Sequence, residues 1–192
     1  MSEEIISRRF QLSSFQIIIL GFAGVILLGA LLLMLPISTQ KGCITPFNEA
    51  LFTATSAVCV TGLVLHDTGS YWSAFGQTII LTLIQIGGLG VVTVAASFAL
   101  LSRRRISLMQ RTTMQDAISA PNVGGIVRLT KFILWGTFLI EMIGALAMLP
   151  VFCRYYGWHG IWLAAFHSIS AFCNAGFDIL GTADNLYPSL TG

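Results

Sequence analysis

Two short runs of main chain carry the chemistry this sequence can offer. They are Val58, Cys59, Val60, Thr61 and Gly62, and then Phe172, Cys173, Asn174, Ala175 and Gly176. What the two runs share is a row of carbonyl oxygens on mostly apolar residues, closed by a glycine. A dehydrating cation needs oxygens that replace its water shell without holding it too firmly, and backbone carbonyls meet that need. Gly62 and Gly176 fall where a strand must turn its carbonyls inward, at φ values a Cβ resists. The competing reading of both glycines is an ordinary turn at a helix end. One glycine per strand, rather than Gly-x-Gly, predicts a short and less exacting filter.

Each run needs an element to hold it at membrane depth. Residues 46–57 have the length and composition of a half-span helix: 12 residues rise about 18 Å against a hydrocarbon core of ~30 Å. Thr45 reads as its N-cap and Pro46 as its first residue, where the missing N–H costs nothing. Residues 58–62 then form a filter strand, so that residues 45–63 enter and leave on one side. Non-helical backbone at that depth is tolerated only where it is buried in protein or lines a watery cavity. The half helix also points its negative C-terminal end toward the pore, which favours a cation.

A shift of 114 residues lays ALFTATSAVCVTGL (50–63) over AAFHSISAFCNAGF (164–177), with six of fourteen positions identical. They are Ala50/Ala164, Phe52/Phe166, Ser56/Ser170, Ala57/Ala171, Cys59/Cys173 and Gly62/Gly176. The second copy predicts a pore helix at 161–171 and a filter at 172–176. The repeating unit is span, half helix, filter, span. The expected fold is therefore an all-α integral membrane protein built of repeated pore units of the potassium-channel type.

Composition agrees with a membrane setting. The chain has 192 residues, 55% of them hydrophobic and 9% charged, where a soluble domain carries about 25% charged residues. The first repeat is placed at 15–101, with spans at 15–35 and 75–101. The second, incomplete, is placed at 132–192 with a span at 132–153. Of ten Lys and Arg, eight lie in the lead 1–14 (Arg8, Arg9) or in residues 102–131 (Arg103, Arg104, Arg105, Arg111, Arg128, Lys131). The positive-inside rule makes both groups cytoplasmic, which one span out and one span back satisfies only if residues 45–63 are re-entrant. The protein is expected in the cell membrane, multi-pass, with a cytoplasmic N-terminus. Residues 15–35 are too long for a signal peptide and lack a cleavage site. Four cysteines show no CxxC spacing, and a Cys43–Cys153 bridge is one option on the outer side. The net charge of +2 says little about partners, and no nucleic-acid partner is expected.

The remaining polar residues have competing readings. Asp67 and Asp178 fit an outer mouth that concentrates cations, or solvated loops. Glu141, near the middle of a span, is read first as a hydrogen-bonding link to the neighbouring unit and second as an ion ligand. Gln85 with Gly87-Gly88-Leu89-Gly90 has the look of a dinucleotide loop, but its apolar setting points to close helix packing. His66 and His167 read as loop and packing residues. Arg103–Arg105 stop a helix at the headgroups or dock a cytosolic regulator. The rival functions are an intramembrane hydrolase drawing on His66, Asp67, His167, Ser168 or Ser56, and a scaffold without transport. Neither accounts for a duplicated main-chain motif, and the protein is not expected to be an enzyme.

Four stretches, TSAVCVTGL (55–63), IQIGGLGVVT (84–93), IEMIGAL (140–146) and AFCNAGFD (171–178), resemble the membrane subunits of the Ktr/Trk/HKT superfamily of potassium transporters. The lead straight into the first pore unit is similar to the Ktr type, KtrB-like rather than TrkH-like. The resemblance implies four repeats per subunit, a homodimer, a cytosolic nucleotide-binding regulatory subunit (KtrA-like), and potassium uptake with sodium as a possible coupling ion. No resident cofactor is implied. Four units at this spacing need roughly 450 residues, so the chain is expected to be part of a longer transporter.

Overall fold

The computed structural model describes residues 14–90, 93 and 126–181. Arg8, Arg9, Arg103–Arg105 and Arg111 lie outside the described residues, as do most of the lead, the linker and the tail.

Among the described residues six α-helices follow in order: α1 (Ser14–Leu33), α2 (Phe47–Val58), α3 (Thr68–Tyr71), α4 (Ala74–Leu89), α5 (Ile126–Tyr156) and α6 (His159–Phe172). Two of them, α1 and α5, are long and apolar enough to cross a membrane among the described residues. Both present apolar side chains outward, including Ile19, Leu28 and Leu31 on α1 and Phe132, Trp135 and Leu146 on α5. Outward apolar faces of this extent are what a lipid solvent accepts and water does not. Pro150 lies inside α5.

α1 stops before Pro36, and Pro36–Ser38 forms a single 3-10 turn. The Ser38 hydroxyl donates to the Leu32 carbonyl at 2.7 Å, satisfying one of the acceptors a helix end leaves open. α2 then buries a stripe of small residues, Ala50, Ala54, Ser56 and Ala57, against α1 and α4. Small side chains let helix axes approach closely where no hydrophobic effect drives them together. The same device recurs at Gly29, packed on Leu83, and at Gly144, packed on Ser168.

The chain before α2 is joined to the chain after it. Thr39 and Trp72 form an antiparallel bridge. Gln40 N–H donates to the Tyr71 carbonyl at 2.9 Å and Ser73 N–H to the Ser38 carbonyl at 2.9 Å. The Gln40 amide reaches the Gly69 carbonyl at 2.7 Å, and the Ser73 hydroxyl reaches the Ile37 carbonyl at 2.6 Å. Ser73 also caps α4 by accepting from Gly76 N–H.

Several element boundaries differ from the sequence reading. Pro46, not Thr45, is the N-cap of α2; Thr45 is buried and its hydroxyl pairs with the Tyr71 hydroxyl at 3.2 Å. A proline holds the extended φ and ψ of an N-cap as readily as the first helical position. Val58 and Phe172 are the last residues of helices rather than the first of strands. α4 does not run unbroken from 75 to 101; it ends at Leu89, capped by Gly90 at φ +81. Three glycines in four residues weaken a helix enough to let it end there. Residues 126–131, placed in the linker, belong to α5. α5 also runs past the span placed at 132–153, with Arg154 in its last turn.

Candidate functional site

The ends of α2 and α6 are built alike. In the first, Cys59 at φ −81 is followed by Val60 at φ +56 and Gly62 at φ +75. In the second, Cys173 at φ −74 is followed by Asn174 at φ +56 and Gly176 at φ +71. Val60 N–H donates to the Ala57 carbonyl and Thr61 N–H to the Ser56 carbonyl; Asn174 and Ala175 repeat this onto Ala171 and Ser170. This is the Schellman end of a helix, with its left-handed residue at 60 or 174. Gly62 and Gly176 sit two residues beyond it, so they are not the helix-ending glycines. Among the described residues, none of the carbonyl oxygens of 58–62 or 172–176 accepts a hydrogen bond.

The two runs meet. A Cβ placed on Gly62 would lie 2.6 Å from the Ala175 carbonyl oxygen and 3.1 Å from the Gly176 Cα. Each run is also tied to its own helix through a serine of the repeat. Ser56 accepts from the Thr61 hydroxyl at 2.9 Å, and the Ser170 hydroxyl donates to the Phe177 carbonyl at 2.6 Å.

α4 stands against both helix ends. A Cβ on Gly87 would collide with the Val58 carbonyl oxygen, and one on Gly88 would lie 2.5 Å from the Cys173 Sγ. The C-terminal ends of α2, α4 and α6 therefore converge, and each brings the partial negative charge of a helix terminus. Side chains also join α4, α5 and α6. Gln85 Nε2 donates to Glu141 Oε1 at 2.9 Å, Ser168 donates to the Glu141 main-chain carbonyl, and the Trp162 indole donates to Gln77 Oε1 at 2.9 Å.

The other singled-out residues lie beyond the runs. Asp67 caps α3, its Oδ2 accepting from Ser70 N–H at 2.7 Å, and its carboxylate packs on Gly181. Asp178 is exposed and its Oδ1 accepts from Leu180 N–H. His66 pairs with Glu49 at 2.8 Å and stacks on Tyr71 at 4.0 Å. Thr39, Lys41, Cys43, Leu65, His66, Asp67, Ser70 and Tyr71 line a cleft of about 370 Å³ beside them. His167 Nδ1 faces the Leu163 carbonyl within α6. With Ser56 bonded to Thr61 and Ser168 to Glu141, no serine or cysteine is hydrogen-bonded to a histidine among the described residues. Cys43 and Cys153 are free thiols, so the bridge between them is not formed.

Sequence reasoning missed the left-handed residues at 60 and 174 and the role of Gly87 and Gly88 against the helix ends. Asn174 carried a signal, since asparagine tolerates that conformation; Val60 carried none.

Comparison with known proteins places these features in a family. The family model described as "TrkH: Cation transport protein" matches residues 6–186. The potassium/sodium uptake protein NtpJ of Enterococcus hirae is 44% identical over 174 residues, which are 90% of this chain and 39% of that protein. The Ktr system potassium uptake protein B of Bacillus subtilis is 44% identical, covering 85% of this chain and 37% of that protein. The protein of the same name in Vibrio alginolyticus is 40% identical, covering 84% and 35%. The chain thus spans less than two fifths of the length of these relatives. It belongs to the TrkH family of cation transport proteins.

Proposed function

We propose that this chain forms part of the ion pathway of a potassium uptake system in the cell membrane. The observation that carries the reading is the pair of matched turns, with positive φ at 60 and 62 and again at 174 and 176. Alternating signs of φ turn successive carbonyls to one side of the chain and the N–H groups to the other, unlike a pleated strand. Residues 59–62 and 173–176 then offer a row of oxygens to a cation, and the converging helix ends favour its charge. Val58 and Phe172, helical in both units, stand at the margin of the filter.

In this reading α2 and α6 are pore helices, and residues 15–101 and 132–192 are two repeats in a multi-pass protein with a cytoplasmic N-terminus. Relatives named for potassium uptake support the cargo, and the name potassium/sodium uptake protein supports sodium as a second ion. A Ktr "system" supports a partner, which we take to be a cytosolic nucleotide-binding regulatory subunit acting on a homodimer. Of the two carboxylates assigned to the outer mouth, Asp178 is the freer, since Asp67 is engaged as a cap.

The test is Gly62→Ser in the full-length protein, in cells lacking their own potassium uptake. The expected result is a fall of about tenfold or more in preference for potassium over sodium, with the protein still in the membrane. An unchanged preference overturns the reading.

A further inference from the structure

The Gly87-Gly88 pair lies in the last turn of α4, which ends at Leu89. Neighbouring helical residues project about 100° apart, so the pair opens two different faces of α4. One face meets α2. A Cβ at Gly87 would fall on the Val58 carbonyl oxygen and lie 2.8 Å from its carbon and 3.0 Å from its Cα, all main chain that cannot rotate away. The other face meets α6. A Cβ at Gly88 would lie 2.5 Å from the Cys173 Sγ and 3.0 Å from its Cβ, atoms of a side chain that can yield. Val58 immediately precedes one turn and Cys173 opens the other. Gly24 on α1 is a glycine of a different kind, with nothing within 4 Å of an added Cβ.

We propose that Gly87 and Gly88 are positioning residues for ion selection, through which α4 sets the spacing of the two turns from two adjacent faces. This rests on reading the turns as the filter. They touch no ion themselves. Gly87 fixes where the first turn leaves α2, and Gly88 fixes where the second leaves α6. Because the turns meet at Gly62 and Gly176, widening either contact moves one carbonyl row relative to the other.

The test compares G87A, G88A, G88A/C173A, C173A, G24A and Gly62→Ser in the full-length protein, reading the potassium-over-sodium preference of uptake alongside the amount in the membrane. G87A is expected to lower the preference about tenfold, G88A by a smaller factor, and G24A by less than about twofold. Removing the Cys173 sulfur should return G88A/C173A to within about twofold of C173A alone. If Gly62→Ser shifts the preference while G87A leaves it unchanged, the positioning role is overturned and the filter reading stands. If Gly62→Ser changes nothing, the filter reading itself falls. Should G87A fail to reach the membrane, the G88A pair decides: absence of rescue overturns the proposal.

Discussion

Gly62 and Gly176 stand back to back, and the contact is unequal. A methyl group added to Gly176 would meet the Gly62 Cα at 3.3 Å, a tight but single contact. One added to Gly62 would meet the Ala175 carbonyl oxygen at 2.6 Å and the Gly176 Cα at 3.1 Å. Both positions hold φ above +70, where a Cβ costs roughly 1–2 kcal/mol. Gly62→Ala is therefore expected to be the more damaging substitution, because it adds a main-chain collision to the same conformational cost. Rubidium uptake normalised to membrane protein measures the difference. Equal effects of the two variants would contradict the asymmetry.

Val60 and Asn174 hold the same left-handed conformation, φ +56, at equivalent positions. Asparagine accepts that region and a β-branched residue resists it. Val60→Asn is expected to raise stability by roughly 1 kcal/mol and Asn174→Val to lower it by a similar amount. Thermal unfolding of the full-length protein in detergent reads both. A lower melting temperature for Val60→Asn would mean that the packing of the valine methyls, half-buried against the core, outweighs its backbone strain.

Glu141 is 6% exposed, and its carboxylate is met by Gln85 across the two units. Removing the donor leaves a buried acceptor unpaired, which costs about 1–3 kcal/mol. Gln85→Leu is expected to destabilise by that amount, and Gln85→Leu with Glu141→Leu to recover most of it. Melting temperatures of the two single variants and the double variant give the coupling. Additive losses would show that the bond contributes nothing.

The main-chain repeat was legible because its residues recur with a fixed spacing: Ser56 and Ser170, Cys59 and Cys173, Gly62 and Gly176. The helix α2 followed from length and polarity, and α6 from the repeat. What could not be read was conformation that one copy expresses against its residue type, as at Val60. Nor could the sequence reveal contacts made by glycines. Gly87 and Gly88 announce close packing but not the partner, since absence of a side chain leaves no chemistry to match. The end of α4 at Gly90 was hidden by the apolar run continuing past it; hydropathy reports burial in lipid, whereas φ +81 reports a local backbone choice. Asp67 read as a free carboxylate because its partner, Ser70 N–H, belongs to a four-residue helix with no periodic signal.

The pairing of residues 38–40 with 71–73 makes one further claim about the membrane. Seven residues separate Thr39 from Phe47 and nine separate Val58 from Thr68, while the helix between rises only about 18 Å. Two main-chain bonds, one amide bond, one hydroxyl bond and the Thr39–Trp72 bridge hold the flanks together, and in the proposed pore reading they therefore share one side. In a background whose native cysteines, Cys43 first among them, are replaced by serine, Lys41→Cys and His66→Cys are therefore expected to react with the same membrane-impermeant maleimide, added from outside intact cells, within about the same time. Substituting Lys41 removes no described bond. His66→Cys loses the partly exposed pair with Glu49 and the stack on Tyr71, surface contacts that each contribute about 1 kcal/mol or less, so the fold should tolerate both. Labelling of the two cysteines from opposite sides would require α2 to cross the bilayer. That would break the Thr39–Trp72 bridge and leave the two turns without a common mouth.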